Sequence, residues 1–230
     1  MFHGKWDHTG YAAVQGPQIG TLKWRFQAVT TTNNNADIGS VAVGSDGTIY
    51  VGGGNKLFAL DSSGNKKWEY SSTSSHGPAI AEDGTIYFLS DESLVSVNSS
   101  GTKLWQFDTD DSAIFGPTVG TDETVYFGSW DHFIYAVKSD GTLKWKYETA
   151  GCVSYPSTLD ENSNTIYLGG GDAHCGEDGN IYAFGEDGTL KWKYDTETLR
   201  VGSPAIGPDG RLYFPASPTL FVLDSGGELL

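Results

Sequence analysis

An all-β ring of five four-stranded sheets, a five-bladed propeller, is the fold class this sequence predicts, on three observations. The pentapeptide GTLKW stands at 20–24, 141–145 and 188–192, with the variants GNKKW at 64–68 and GTKLW at 101–105. The tryptophans closing these copies, Trp24, Trp68, Trp105, Trp145 and Trp192, are 44, 37, 40 and 47 residues apart, the length of one blade or solenoid unit. Four short β-type runs recur in the same order between them, and 31 glycines with 12 Tyr, 11 Phe and 7 Trp in 230 residues favour strands and tight turns over helices.

The elements follow in chain order. Residues 1–19 fall outside the repeat and read as a lead-in. GTLKWRF at 20–26 reads as a strand with Leu22, Trp24 and Phe26 on one face. Five modules then run over about 39–70, 77–107, 115–147, 153–194 and 202–230. Each opens on a short strand: SVAV at 40–43, GPAI at 77–80, GPTV at 116–119, YPST at 155–158 and SPAI at 203–206. A turn follows, DGT at 46–48 and 83–85, DET at 122–124, ENSNT at 161–165 and DGR at 209–211. Asp-Gly suits a tight hairpin because glycine accepts positive φ. The second strand is the most regular, with IYVG, IYFL, VYFG, IYLG and LYFP starting at Ile49, Ile86, Val125, Ile166 and Leu212. The third strand and a Gly-containing turn then lead to the fourth strand with its Trp.

The fifth module stops at GELL, one residue short of its Trp, while an orphan fourth strand stands at 20–26. One strand, four modules of four and a last module of three make five blades. The N-terminal strand is therefore expected to complete the last blade and cover two exposed sheet edges. A single domain over 1–230 follows. The alternative is a piece of a seven- or eight-bladed ring.

A formal net charge of −15 and a pI near 4.5 repel phosphate backbones and anionic lipid, so nucleic acid is not an expected partner. No apolar run is long enough to cross a bilayer, and MFHGKWDHTG lacks the charged head and apolar stretch of a secretory signal.

The modules resemble the PQQ-like β-propeller repeat. ALDSSGNKKW at 59–68 carries the pattern Ala-x-Asp-x-x-Gly before a Trp. Ser96 and Val222 replace the Ala in other copies, and Asn98, Lys138 and Gly185 replace the Asp. The resemblance implies a tryptophan-docking role for Trp68, Trp105, Trp145, Trp192 and Trp24, each indole packing between neighbouring blades against the small residue and the glycine. The family includes quinoprotein dehydrogenases and the outer-membrane assembly scaffold. The dehydrogenases have eight blades and two adjacent cysteines over the quinone, whereas the cysteines here are 23 apart. No cofactor is therefore expected, and PQQ in particular is not.

Propellers commonly bind on the face built by the strand four-to-one and two-to-three loops. His76, Asp91, Trp130, Asp131, His132, Asp172, His174 and Arg200 fall in such loops, with Phe115 and Tyr155 nearby. Aromatic rings to stack on a sugar and carboxylates to bind its hydroxyls suit a glycan. The same residues also read as ordinary polar loops. The insertion GGGDAHCGEDGN at 169–180 holds Cys175, and Cys152 lies in the loop entering the same module. A disulfide between them would close that loop and imply an oxidising compartment. Two free thiols, zinc with His174 and Asp172, or calcium through Asp172, Glu177 and Asp178 remain alternatives. No GxSxG, HExxH or GxxxxGK[ST] occurs.

The sequence thus points to a non-catalytic binding or scaffold module, monomeric and extracellular or periplasmic, with a protein or carbohydrate ligand. The alternative is an enzyme at the channel mouth, a quinoprotein-like oxidoreductase or a carbohydrate-active lyase or hydrolase.

Overall fold

A computed structural model describes residues 22–28, 38–72, 76–113, 115–171 and 178–230. All regular structure in them is β. Blade 1 is β1 (Ile38–Val43), β2 (Ile49–Gly53), β3 (Lys56–Leu60) and β4 (Lys66–Ser71). Blade 2 is β5 (His76–Ile80), β6 (Ile86–Ser90), β7 (Ser93–Val97) and β8 (Lys103–Asp108). Blade 3 is β9 (Thr118–Val119), β10 (Val125–Gly128), β11 (Phe133–Val137) and β12 (Leu143–Glu148). Blade 4 is β13 (Thr158–Asp160), β14 (Thr165–Gly169), β15 (Asn180–Gly185) and β16 (Leu190–Asp195). Blade 5 has β17 (Ala205–Ile206), β18 (Leu212–Ala216) and β19 (Thr219–Leu223). Every sheet is an antiparallel meander in chain order, four sheets of four strands and one of three. No helix among the described residues is long and apolar enough to cross a membrane.

Local chemistry sets the turns. In blade 1 the Asp46 carboxylate accepts from Thr48 N at 2.9 Å and Thr48 Oγ1 at 2.6 Å, a side-chain turn that mimics a backbone one. Asp83 with Thr85 and Asp122 with Thr124 repeat it. The hairpin before the fourth strand has its own cap. Asp61 Oδ1 accepts from Ser63 N and Asn65 N, and Asn98 Oδ1 from Ser100 N and Thr102 N. Where Lys138 and Gly185 replace that residue, the aspartate two places on takes over, Asp140 binding Thr142 N and Asp187 binding Thr189 N, each at 2.9 Å. The degenerate motif is repaired within its own turn.

Tryptophans join one blade to the next. A Cβ on Gly101 would sit 2.8 Å from the Trp68 ring, on Gly141 2.9 Å from Trp105, on Gly188 2.7 Å from Trp145 and on Gly227 2.7 Å from Trp192. Only glycine lets the indole lie flat on the turn. Each indole N–H donates to a carbonyl of that turn: Trp68 to Ser99, Trp105 to Ser139, Trp145 to Glu186 and Trp192 to Ser225. Opposite the tryptophans, in register, stand Ala59, Ser96, Ala136 and Ala183, all fully buried. Apolar clusters fill each seam in turn, from blades 1 and 2 to blades 4 and 5.

Among the described residues of the leading segment, the strand expected at 20–26 is not formed. Among the described residues, 22–28 belong to no sheet. They lie on blade 1 in the docking role expected of Trp24, which sits over Gly64 with its N–H donating to Ser62 O at 3.1 Å. On β19 the outer edge is taken by the chain's own next residues, through the Leu223–Leu229 bridge and Leu230 N donating to Val222 O. A hairpin neighbour separated by one short turn reaches that edge with less loop-closure entropy than a distant strand does. No apolar cluster joins blade 5 to blade 1 among the described residues.

Candidate functional site

The loop face is best organised at the seam of blades 3 and 4. The turn 129–132 between β10 and β11 is held between the loops entering the two blades. Trp130 N donates to Ser112 O at 2.8 Å, and Val153 N donates to Ser129 O at 3.1 Å. His132 has φ 69°, a conformation most side chains avoid. Its carbonyl accepts from both Thr149 N and Thr149 Oγ1 at 2.8 Å, which holds the turn in place.

On this frame sit the aromatics. The indole N–H of Trp130 donates to Ser154 Oγ at 2.9 Å. The next residue, Tyr155, stacks on Phe115 with ring centroids 5.5 Å apart and planes 24° from parallel. Phe115 is 41% exposed and Tyr155 half-buried. An accessible stacked pair beside a fixed indole offers flat apolar surface for a ligand's C–H face.

The nearby acids are occupied inwardly. Asp131 accepts from Asp110 N, Phe133 N and, at 2.6 Å, the Tyr135 hydroxyl. Asp178, almost fully buried, accepts from Asn180 N, Asn180 Nδ2 and the Tyr182 hydroxyl at 2.7 Å. Burial first, then the acidic partner, raises both tyrosines above the ordinary phenol range. These carboxylates brace loops. The D-x-x-x-Y spacing at 131/135 and 178/182 was the available signal for that role, and Ser154 had none.

The other sequence candidates stand apart from this seam. His76 opens β5 and pairs with Leu89 across blade 2. Asp91 has φ 55° in the β6–β7 turn, its carbonyl accepting from Ala113 N. Arg200 is exposed in the loop before blade 5, its carbonyl accepting from Thr198 Oγ1. Cys152 is buried with Sγ 3.3 Å from Trp130 O. Asp172, His174, Cys175 and Glu177 lie outside the described residues. Among the described residues no cluster of three His, Cys, Asp or Glu could hold a metal.

Comparison with known proteins places this architecture. No curated protein matches the chain. A solved protein of unknown function from Bacteroides caccae superposes with a TM-score of 0.60 at 14% identity, over 86% of this chain and 81% of that one. The quinohemoprotein alcohol dehydrogenase ADHIIG of Pseudomonas putida HK5 gives 0.68 at 18% identity, over 80% of this chain and 40% of that one. At such identities the likeness is one of fold. A family profile for PQQ-like repeats, described as outer membrane protein assembly factor BamB, matches residues 10–151 and again 90–230. With that match added to the repeated Trp-on-Gly docking, the chain belongs to this family of PQQ-like β-propeller proteins.

Proposed function

We propose that the chain is a non-catalytic binding or scaffold module that works outside the cytoplasm and recognises a protein or glycan at the seam of blades 3 and 4. The observation that carries this is the accessible Phe115–Tyr155 stack beside the anchored Trp130. An aromatic platform with fixed geometry binds with little ordering cost. The assembly-factor description of the family supports a protein partner. The reading uses no quinone, since the two cysteines are 23 positions apart rather than adjacent.

An oxidising compartment fits the cysteines. No free cysteine occurs among the described residues, and Cys175 is the only other one in the chain. A Cys152–Cys175 bond would tie the blade 4 insertion to the seam. Mass spectrometry with and without reductant tests it; two alkylatable thiols in the native protein would remove the argument.

For the ligand, the test is a glycan array and a crosslinking capture, each repeated with Phe115→Ala and Tyr155→Ala. Binding lost at least tenfold in both variants, with no new reducing ends, is the expected result. Unchanged binding in the variants, or cleavage of the bound glycan, overturns the reading.

A further inference from the structure

The acids that a sugar's hydroxyls would need beside the aromatic platform are turned inward, Asp131 toward Tyr135 and Asp178 toward Tyr182. The accessible acids lie on the chain leading to Phe115. Residues 91–92 and 108–113 carry five, Asp91, Glu92, Asp108, Asp110 and Asp111, all exposed, and no lysine or arginine. Backbone bonds knit the two stretches into one rim, Thr109 N donating to Glu92 O at 2.7 Å and Ala113 N to Asp91 O at 2.8 Å. The rim borders the Trp130 turn, where Trp130 N donates to Ser112 O and Asp110 N to Asp131 Oδ2 at 3.1 Å.

This charge is uncompensated. Among the described residues no hydrogen bond or ion pair reaches the carboxylate of Glu92 or of Asp110. The cations that form ion pairs do so within their own blades: Lys56 and Lys66 on Glu69, Lys67 on Asp46, Lys144 on Asp122 and Arg211 on Asp209.

We propose that the partner at the seam of blades 3 and 4 is an arginine-bearing protein segment, stacked on Phe115 and Tyr155 with its charge on this rim. The proposal rests on the reading of that stack as a binding platform and names its class of ligand. A guanidinium is planar, so it lies flat on a ring face and also pairs with a carboxylate through two N–H groups. Blade 3 makes a contact of this kind internally, with Lys146 Nζ 4.1 Å from the centroid of the Phe133 ring. Asp111 and Phe115 are four residues apart, at most about 14 Å of chain. A short extended segment therefore spans rim and stack together. A neutral sugar gains nothing from uncompensated charge, and an acidic sugar is repelled by it. A cationic segment is steered in by it.

The experiment is fluorescence polarisation with labelled peptides alternating Gly with Arg or Gly with Glu, titrated with wild type and four variants. Phe115→Ala and Tyr155→Ala test the stack. Glu92→Gln with Asp110→Asn tests the rim. Glu82→Gln with Glu123→Gln is the control, removing as many charges from exposed turns β5–β6 and β9–β10 at the other end of the blades. Circular dichroism reports whether each variant keeps its fold. The Arg peptide should bind, more weakly as salt rises, and the Glu peptide should not. The stack variants and the rim pair should each weaken binding about fivefold or more, and the control pair less than about twofold. No binding of the Arg peptide, or equal losses from rim and control pairs, overturns the proposal. The platform reading then still stands if the ligand found by glycan array or crosslinking depends on Phe115 and Tyr155. Rim-dependent binding that both stack variants leave unchanged overturns the proposal and the platform reading together.

Discussion

Blades 3 and 5 are built from the same repeat, yet among the described residues one is packed on both faces and the other on one. In blade 3, Ile134 and Ala136 vanish beneath blade 4, and Trp145 lies between Tyr126 and Phe184 at centroid distances of 5.8 and 5.5 Å. In blade 5 the equivalents Leu220 and Val222 remain accessible. The pattern in the sequence is the same; whether it becomes core depends on the next blade. A propeller repeat is therefore half of an interface, and its stability is shared with a neighbour.

The sharpest way to break this comparison is to remove an inner and an outer indole. Trp145→Ala should cost about 3 kcal/mol, read as a lower midpoint in urea. Trp24→Ala should cost about 1 kcal/mol, since its segment belongs to no sheet. Equal losses would mean the leading side is as well packed as the middle.

A glycine pair comes next. Gly188 and Gly210 both have positive φ, 87° and 76°, but a Cβ on Gly188 meets Trp145 at 2.7 Å while one on Gly210 meets nothing within 4 Å. Gly188→Ala should lose about 2 to 3 kcal/mol and Gly210→Ala about 1 kcal/mol, the latter from backbone strain alone. The gap between them measures the docking contact.

Blade 3 also holds a residue that should be improved. Glu123 has φ 62° where the blade 1 and blade 2 hairpins have Gly47 and Gly84. Glu123→Gly should raise stability by up to about 1 kcal/mol by relieving the left-handed strain. A loss would show that its side chain has a partner worth more than the strain.

The smallest effect is electrostatic and sits in blade 1. Hydrogen bonds from Lys56, then from Lys66, hold Glu69 down at about 2. Its folded value lies below its unfolded one. The stabilisation is therefore complete above the usual glutamate range and is lost as pH falls toward 2. NMR titration of Glu69 should show that low midpoint, and Lys56→Met should move it upward. The pair is exposed, so its effect on Tm should be slight.

Much of the fold was legible because it is local. The GTLKW copies, the Asp-Gly turns and the alternation in the Trp-bearing strands each depend on residues a few places apart. Even the motif failures at Lys138 and Gly185 were answered within the same turn, by Asp140 and Asp187. The site was legible as a neighbourhood only. His76, Asp91, Asp131 and Arg200 share a class of loop with Trp130, but Asp131 is spent on Tyr135 and the others lie on other blades. Loop membership says nothing about which way a carboxylate faces.

The sequence alone determined the strands of the five modules, their order and the residues that dock, since these follow from side-chain alternation and turn chemistry within one module. Tertiary structure decided that residues 22–28 sit on blade 1 outside any sheet, and that Phe115 meets Tyr155 across a seam. Those outcomes turn on contacts between modules some forty residues apart, where packing and loop closure select among arrangements that the same repeat permits.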